Sequence, residues 1–521
     1  MLNLNRLCFW LFPAFIFSTT GTGTDDTFSS RTARAPIARM PTTSCSASTL
    51  ARVEKTIRSL QAALAAQGVD PMRALVHPGR MSHMRRTLRP CMQVAADMQQ
   101  PTQRSTVHIR VVGGSMTLGN MNCMGDCAKL HLLRTTQAWP RLLKVRLVKT
   151  LPGCKLHVHS NVVPAAGIST VLHNWDSLFD NTEDIVIEDF SVNDVRGKVM
   201  VDGRANDSNA VHKHLASHEI LARKVRARNA SLVFMEAWAA FDRPPKCRPH
   251  TEYVHNALGE FYALPVVSFM RSVCNESATA SLSSEPAMEH WRAGCGKLDL
   301  PGMQCEAHPG PHVHGIYANM LALFMLRQAA AACAPLQDES DETPQLGASY
   351  LPSSELERIA GCVAGKTSVD ARLGCSSTQR FLDPANKPAG FRCYEDRPGK
   401  PGWIAEAGST PSEMGFVATG TGLGHVVAGF LRSYTGFGRA QIAVDGHWNY
   451  SVTLDGAWDE NTSQVDYMTI PWQRLLPTSA HGTLGSSKHP RRHKVALRVA
   501  AAEEGSAARG QRFKLVSLAT C

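Results

Sequence analysis

Four apolar runs, VHIRVV (107–112), DIVIEDF (184–190), ASLVFMEAW (230–238) and ALPVVSF (263–269), are spaced along the middle of the chain. Helix-patterned stretches separate and follow them, among them HKHLASHEILARKVRAR (212–228) and GIYANMLALFMLRQAAAAC (315–333). Apolar strands alternating with helices bury both faces as a parallel sheet covered on two sides. The pattern therefore sets an α/β fold for this region. Ligands in such folds bind beyond the carboxyl ends of the strands. The first run ends there, in Gly113-Gly114-Ser115. A strand–turn–helix junction exposes a hydroxyl and offers backbone N–H groups to an oxyanion. The ordinary alternative for such a serine is a helix N-cap.

At 521 residues the chain is too long for a single core, which implies two domains plus extensions. Residues 1–20 carry Arg6, an apolar run over 7–17 and then small polar residues, the layout of a secretory signal peptide. That run is too short to span a bilayer, and no later segment offers a membrane span. Residues 21–104 read as an N-terminal extension with one amphipathic helix, in which Leu50, Val53, Ile57, Leu60 and Leu64 recur at helical spacing before Gly68. The α/β region spans 105–334. Residues 335–347 (PLQDESDETPQLG) are acidic and apolar-poor, as a linker is. In 348–521 turn residues are dense, and runs such as HVVAGFLRSY, AQIAVDG, HKVALRVA and QRFKLVSLATC read as strands of a β-sandwich.

Of 15 cysteines, Cys8 lies in the leader, leaving an even number that can all pair. Sequons stand at Asn206, Asn229, Asn275, Asn449 and Asn461. Both features suit a secreted protein or one in the secretory lumen. The formal charge is +11, but the clusters at Arg85–Arg89 and 490–494 lack any nucleic-acid-binding motif. Solvated surface is the ordinary reading of such charge, and nucleic acid is not an expected partner.

Two further elements join Ser115. Asn193 follows the strand DIVIEDF and presents a carboxamide to the same sheet edge, unless Asn193-Asp194 simply forms a turn. His308 opens the stretch HPGPHVHGIYANML and can reach Ser115 as a general base from a helix entrance. A competing reading gathers His308, His312 and His314 around a metal. His157 and His159 share one face of a strand and read as a structural pair. Cys123 and Cys127 miss the redox C-x-x-C spacing, so a disulfide is expected, with each other or with distant partners, and Cys295 and Cys305 could pair across a ten-residue step.

GGSMTLG, the glycine in VVPAAGIST, SVND and HPGPHVHGIYANML, in this order, resemble the blocks of the SGNH hydrolases, or GDSL-type esterases, over residues 106–333. The resemblance implies a flavodoxin-like three-layer parallel sheet. It makes Ser115 the nucleophile and His308 the base. The oxyanion hole it implies is made by the backbone N–H groups of Ser115 and Gly167 with the Asn193 side chain. Ser191 stands where the family has glycine, Val313 replaces another glycine, and His314 matches a second family histidine. The family's triad aspartate falls at Cys305, which cannot stabilise an imidazolium as a carboxylate does. Glu306 or Asp299 can substitute, a backbone carbonyl can hold His308, or activity is impaired.

KPGWIAEAG, FLRSYTGFGRAQIAV, DGAWDE and FKLVSLATC are similar to a β-rich region that follows the SGNH domain in some plant, algal and other eukaryotic relatives. Trp403, Trp448 and Trp458 could stack on sugars there, against the ordinary reading as core. The resemblance implies a secreted serine esterase acting on O-acyl, above all O-acetyl, esters of a carbohydrate or another small ester. No metal or cofactor is expected. The alternatives are a glycan O-acyltransferase and a catalytically impaired glycan-binding protein on the same fold.

Overall fold

The computed structural model describes residues 44–93, 105–119, 122–123, 137–162, 166–173, 175–194, 200–201, 204–205, 208–237, 252–274, 289–291, 303–304, 308–334, 349–352, 356, 389–395, 401–406, 412–420, 424–434, 436–457, 463–478, 491–499 and 512–520. Residues 1–20, the 335–347 segment and the sequons at Asn206, Asn275 and Asn461 lie outside them.

The α/β part is a six-stranded sheet. Its elements in chain order are α1 (Ala47–Ala65), β1 (Leu75–His77), α2 (Ser82–Met92), β2 (Ser105–Gly113), α3 (Trp139–Thr150), β3 (Cys154–Val162) and α4 (Ile168–His173). There follow β4 (Ile185–Asp189), α5 (Ser191–Asp194), α6 (Ser208–Ala227), β5 (Ser231–Glu236), α7 (Glu252–Tyr262), β6 (Val266–Ser268) and α8 (Pro311–Ala331). The spatial order is β1-β6-β5-β4-β2-β3. The five strands β2 to β6 are parallel, and β1 alone joins antiparallel, on β6. Counting only the parallel strands, the order is 2-1-3-4-5, the flavodoxin-like arrangement. Its switch point lies between β2 and β4, where consecutive connections leave in opposite directions.

Two apolar layers flank the sheet. Val107, Ile109, Val111, Ile185 and Ile187 point into a core with residues of α1, α2, α3 and α8. Val112, Val186, Leu232, Phe234 and Val266 face the other way, against α4, α6 and α7. Because the sheet is covered on both faces, β4 and β5 carry the apolar runs Ile185–Ile187 and Leu232–Met235, whereas β2 alternates through Val107, Ile109 and Val111, with His108 and Arg110 between them. Beyond the single helix that the sequence suggests, residues 44–92 add α2 and the edge strand β1. Gly68, at φ +71° with open space around it, ends the turn after α1 by its conformational freedom. Disulfides join Cys45 to Cys333 and Cys91 to Cys154, fastening α1 to the end of α8 and α2 to the start of β3. Cys274 and Cys393 are also disulfide-bonded.

The C-terminal part has β7 (Phe391–Glu395), β8 (Pro401–Glu406), β9 (Glu413–Gly420), β10 (His425–Ser433), β11 (Arg439–Val444), β12 (Val452–Asp455), β13 (Ser463–Pro471), β14 (Arg491–Val499) and β15 (Arg512–Thr520). They form two antiparallel sheets, β7-β8-β15-β10-β13 and β9-β14-β11-β12. Both contribute to one core, with Trp403, Phe430 and Phe513 from the first and Phe416, Ile442 and Leu497 from the second. This is a two-sheet sandwich, as the dense turns suggest. Trp403 is core, and Trp448 lies half-buried beneath the Arg498 guanidinium, 3.9 Å away. Trp458 is outside the described residues. No helix among the described residues is long and apolar enough to cross a membrane. Asn229 and Asn449 are exposed, the first in the turn that ends α6.

Candidate active site

The ends of β2, β3 and β4 lie abreast: Gly113 pairs with Val162 on one side and with Asp189 on the other. The residues that follow each strand are therefore brought to one rim. Ser115 follows β2, Gly167 follows β3, and α5, with Asn193, follows β4. That rim is the switch point of the sheet. The Asn193 side chain, Asp299, Cys305 and Glu306 are outside the described residues, as are Cys127 and Cys295.

Ser115 stands in a tight turn in which Leu118 N–H donates to Gly114 O and Gly119 N–H to Met116 O. The turn folds Thr117 back over the end of its own strand. A Cβ on Gly113 would collide with Thr117 Oγ1, at 2.7 Å from its Cβ and 3.0 Å from Asp189 O. Gly113 is therefore required for close approach and not for a left-handed φ. Thr117 Oγ1 donates to Asp189 Oδ2 at 2.8 Å, and Trp139 Nε1 donates to the same oxygen at 3.1 Å. Burial pushes the Asp189 carboxyl up to about 7. These three residues, which the sequence did not single out, support the Ser115 turn from below. Their contacts span 50 and 72 positions, beyond any local motif.

His308 arrives from the loop that enters α8, which packs on the same face of the sheet as α3. It lies three residues before Pro311, the first residue of α8, and Gly310 N–H donates to Trp291 O to pin the loop. Across 193 positions of sequence, His308 Nε2 is 2.7 Å from Ser115 Oγ. With Nε2 unprotonated, the hydroxyl donates to it, the geometry in which a base takes a proton from a nucleophile.

Gly167 is buried beside α5. The N–H of Ile168 donates to the Asp194 carboxylate, 3.0 Å from Oδ1, and a Cβ on Gly167 would collide with that oxygen. Ser191, which stands where the resembled SGNH block has glycine, works as a brace. Its hydroxyl accepts from Ala237 N–H at 2.9 Å and donates to Ala237 O at 3.3 Å, fastening α5 to the end of β5.

The histidines after His308 have separate surroundings, and among the described residues His308, His312 and His314 do not bring three ligand atoms together. His312 Nε2 is 3.1 Å from His290 Nδ1, and the two rings stack. His314 is fully buried, edge-on to Tyr317, and neither ring nitrogen has a hydrogen-bond partner among the described residues. His157 and His159 stack with His108 on the neighbouring strand, a structural ladder.

Burial pushes the His314 imidazole down to about 4. The unfolded chain takes up that proton near pH 6.5, whereas the folded chain resists it until near 4. Stability from this group is full above 6.5 and falls as the pH drops, at a cost of roughly 2 kcal/mol between pH 7 and 5. His314→Leu is expected to flatten the fall in melting temperature over that interval, as calorimetry at the two pH values reads. An unchanged slope would show that His314 is not responsible.

No family model matches the chain, and no curated protein matches it. Among solved structures, a two-domain esterase (CEX) active on acetylated mannans is similar over 87% of this chain and 98% of its own, at 16% identity and a TM-score of 0.53. The same esterase co-crystallized with mannopentaose gives 0.54, over 87% of this chain and 97% of its own, again at 16% identity. An acetyl xylan esterase (AlAXEase) covers 41% of this chain and 98% of its own, at 11% identity and a TM-score of 0.28. The likeness to the two-domain esterase is one of fold: both parts of this chain take part in it.

Proposed function

We propose that the chain is a serine esterase of the SGNH type that removes acyl groups, acetyl above all, from a carbohydrate. The observation that carries this reading is the 2.7 Å approach of His308 Nε2 to Ser115 Oγ at the switch point of the sheet. Support for a glycan substrate comes from the fold shared with an esterase active on acetylated mannans.

In this reading His308 takes the Ser115 proton as Oγ attacks the ester carbonyl carbon. Negative charge gathers on the carbonyl oxygen, where the N–H groups of Ser115 and Gly167 and the Asn193 amide donate to it. Loss of one such donor typically costs about 2.7–4 kcal/mol. The carbon–oxygen bond to the alcohol breaks, and His308 returns the proton to the leaving alkoxide. Water, deprotonated by His308, then attacks the acyl-serine, the bond from the acyl carbon to Oγ breaks as His308 returns the proton to Ser115, and the carboxylic acid leaves. The acyl-enzyme forms in the secretory lumen or outside the cell, where the leader and disulfides suit the chain.

Acetate release from acetylated mannan and xylan by the full chain tests the reading. Measured turnover with either supports it, whereas no acetate from any acetylated glycan or aryl acetate contradicts it. Transfer of acetyl to an added acceptor glycan in place of water would identify the transferase alternative.

Cys305 at the usual acid position makes a Ser–His dyad the expected machinery, helped by a carbonyl or a nearby carboxylate. Glu306→Gln and Asp299→Asn are each expected to lower kcat by far less than the roughly 10⁴-fold that loss of a triad acid causes. A 10⁴-fold drop in one of them would instead identify that residue as the acid.

A further inference from the structure

A second constellation lies in the interior beside the candidate active site and takes no part in the proposed reaction. Glu188 of β4, His218 of α6 and His255 of α7 are all fully buried. One ligating atom from each lies within 4.8 Å of the other two. His218 Nε2 stands 3.6 Å from Glu188 Oε1, and His255 Nε2 stands 3.4 Å from Glu188 Oε2. Donors at about 2.0–2.1 Å from a tetrahedral zinc are separated from one another by about 3.3–3.4 Å. The two observed separations, one to each oxygen of the Glu188 carboxylate, are of similar length, which would place an ion between the two imidazoles, facing that carboxylate.

The far side of each imidazole sets what its near side can do. His218 Nδ1 is 2.9 Å from the carbonyl oxygen of His214, to which it donates. His255 Nδ1 contacts the Glu236 carboxylate. Both neutral rings therefore carry their proton on Nδ1 and turn a bare Nε2 lone pair inward. Such carbonyl and carboxylate partners hold metal-ligating histidines in the correct tautomer. Two lone pairs and a carboxylate facing one another repel unless a cation or a proton lies between them. His218 Nε2, His255 Nε2 and Glu188 Oε2 have no hydrogen-bond partner among the described residues. Buried charges are paired or coordinate metals, because isolation in the interior is too costly.

We propose that Glu188, His218 and His255 bind a divalent transition-metal ion of the zinc class. Two imidazoles and one carboxylate suit zinc, with a fourth position for water or another oxygen. The role is structural, since the three ligands are sealed from solvent. Asp194, whose oxygen is 3.4 Å from His218 Nε2, also accepts the Ile168 N–H. The ion would thus stiffen the turn that carries Gly167. A proton is the rival occupant: burial lowers the His218 pKa, but Glu188 and Asp194 override this and hold the ring up to about 9. A metal entering the site displaces that proton, so loading weakens with acid.

The test uses the full-length chain without an affinity tag, produced with zinc in the medium and freed of loose metal. Elemental analysis is expected to give one zinc per chain, and its removal by chelator is expected to lower the melting temperature. Glu188→Gln and His255→Gln are expected to lose the zinc. Should these variants fail to fold, X-ray absorption on the wild type decides between sites. Two imidazoles and an oxygen around the ion support this one, while sulfur ligands overturn it. The proposal is also overturned if folded wild type carries no zinc and keeps its melting temperature in zinc and chelator alike, or if folded Glu188→Gln retains a full equivalent. None of these readouts depends on esterase activity, so the two proposals fail separately.

Discussion

Ser115→Ala is expected to lower kcat on acetylated substrates by on the order of 10⁴-fold or more, with the fold intact. The size of the loss follows from the arrangement. Ser115 Oγ is the atom to which His308 Nε2 is directed, at 2.7 Å. An alanine leaves the imidazole with no hydroxyl to deprotonate and the acyl group with no carrier. Substrate would still sit at the rim, so KM should change far less than kcat. His308→Ala should match the loss, because nucleophile and base act as one unit, and the double variant should be scarcely worse than either. Activity in Ser115→Ala within tenfold of wild type would remove this residue from the reaction.

Gly113→Ala is expected to produce the largest loss of stability of any single methyl added near the site. The new Cβ would occupy the place of Thr117 Oγ1, so Thr117 must swing away and give up its bond to Asp189. Asp189 is buried and would keep only the indole N–H of Trp139 as donor to that oxygen. Overpacking together with a lost buried hydrogen bond costs at least about 3 kcal/mol. Urea unfolding should show a lower midpoint with an unchanged slope. Because the Ser115 turn rests on the same contacts, kcat should fall even where the variant remains folded. An unchanged midpoint would mean that the turn has room for the methyl group. Thr117→Ala, which removes only the hydroxyl and one methyl group, should cost less than Gly113→Ala.

Much of the layered fold is legible in the sequence, because strands covered on both faces are rich in apolar residues, as Ile185–Ile187 of β4 and Leu232–Met235 of β5 are. The sandwich announces itself through short strands and dense turns. The edge strand β1 does not: three residues, Leu75–His77, carry no period, and their pairing with β6 is set by contacts almost 200 positions away. The proximity of Ser115 and His308, on which the proposed reaction rests, is foreshadowed by the order of Gly113-Gly114-Ser115, SVND and His308, each weak alone. What holds the pair in place is not. Thr117, Trp139 and Asp189 meet only after three separate elements have packed. Ser191 reads as a departure from the family's glycine, yet its two bonds to Ala237 make it a brace. Glu188, His218 and His255 come from one strand and two helices, so no spacing motif could have joined them.

The central claim is that Ser115 is the nucleophile and His308 its base. Peptide mapping by mass spectrometry after treatment with a fluorophosphonate tests it most directly. The expected result is one phosphonyl adduct, on the peptide containing Ser115, absent from Ser115→Ala and strongly slowed in His308→Ala. Equal labelling of wild type and Ser115→Ala, or an adduct confined to another serine, would contradict it.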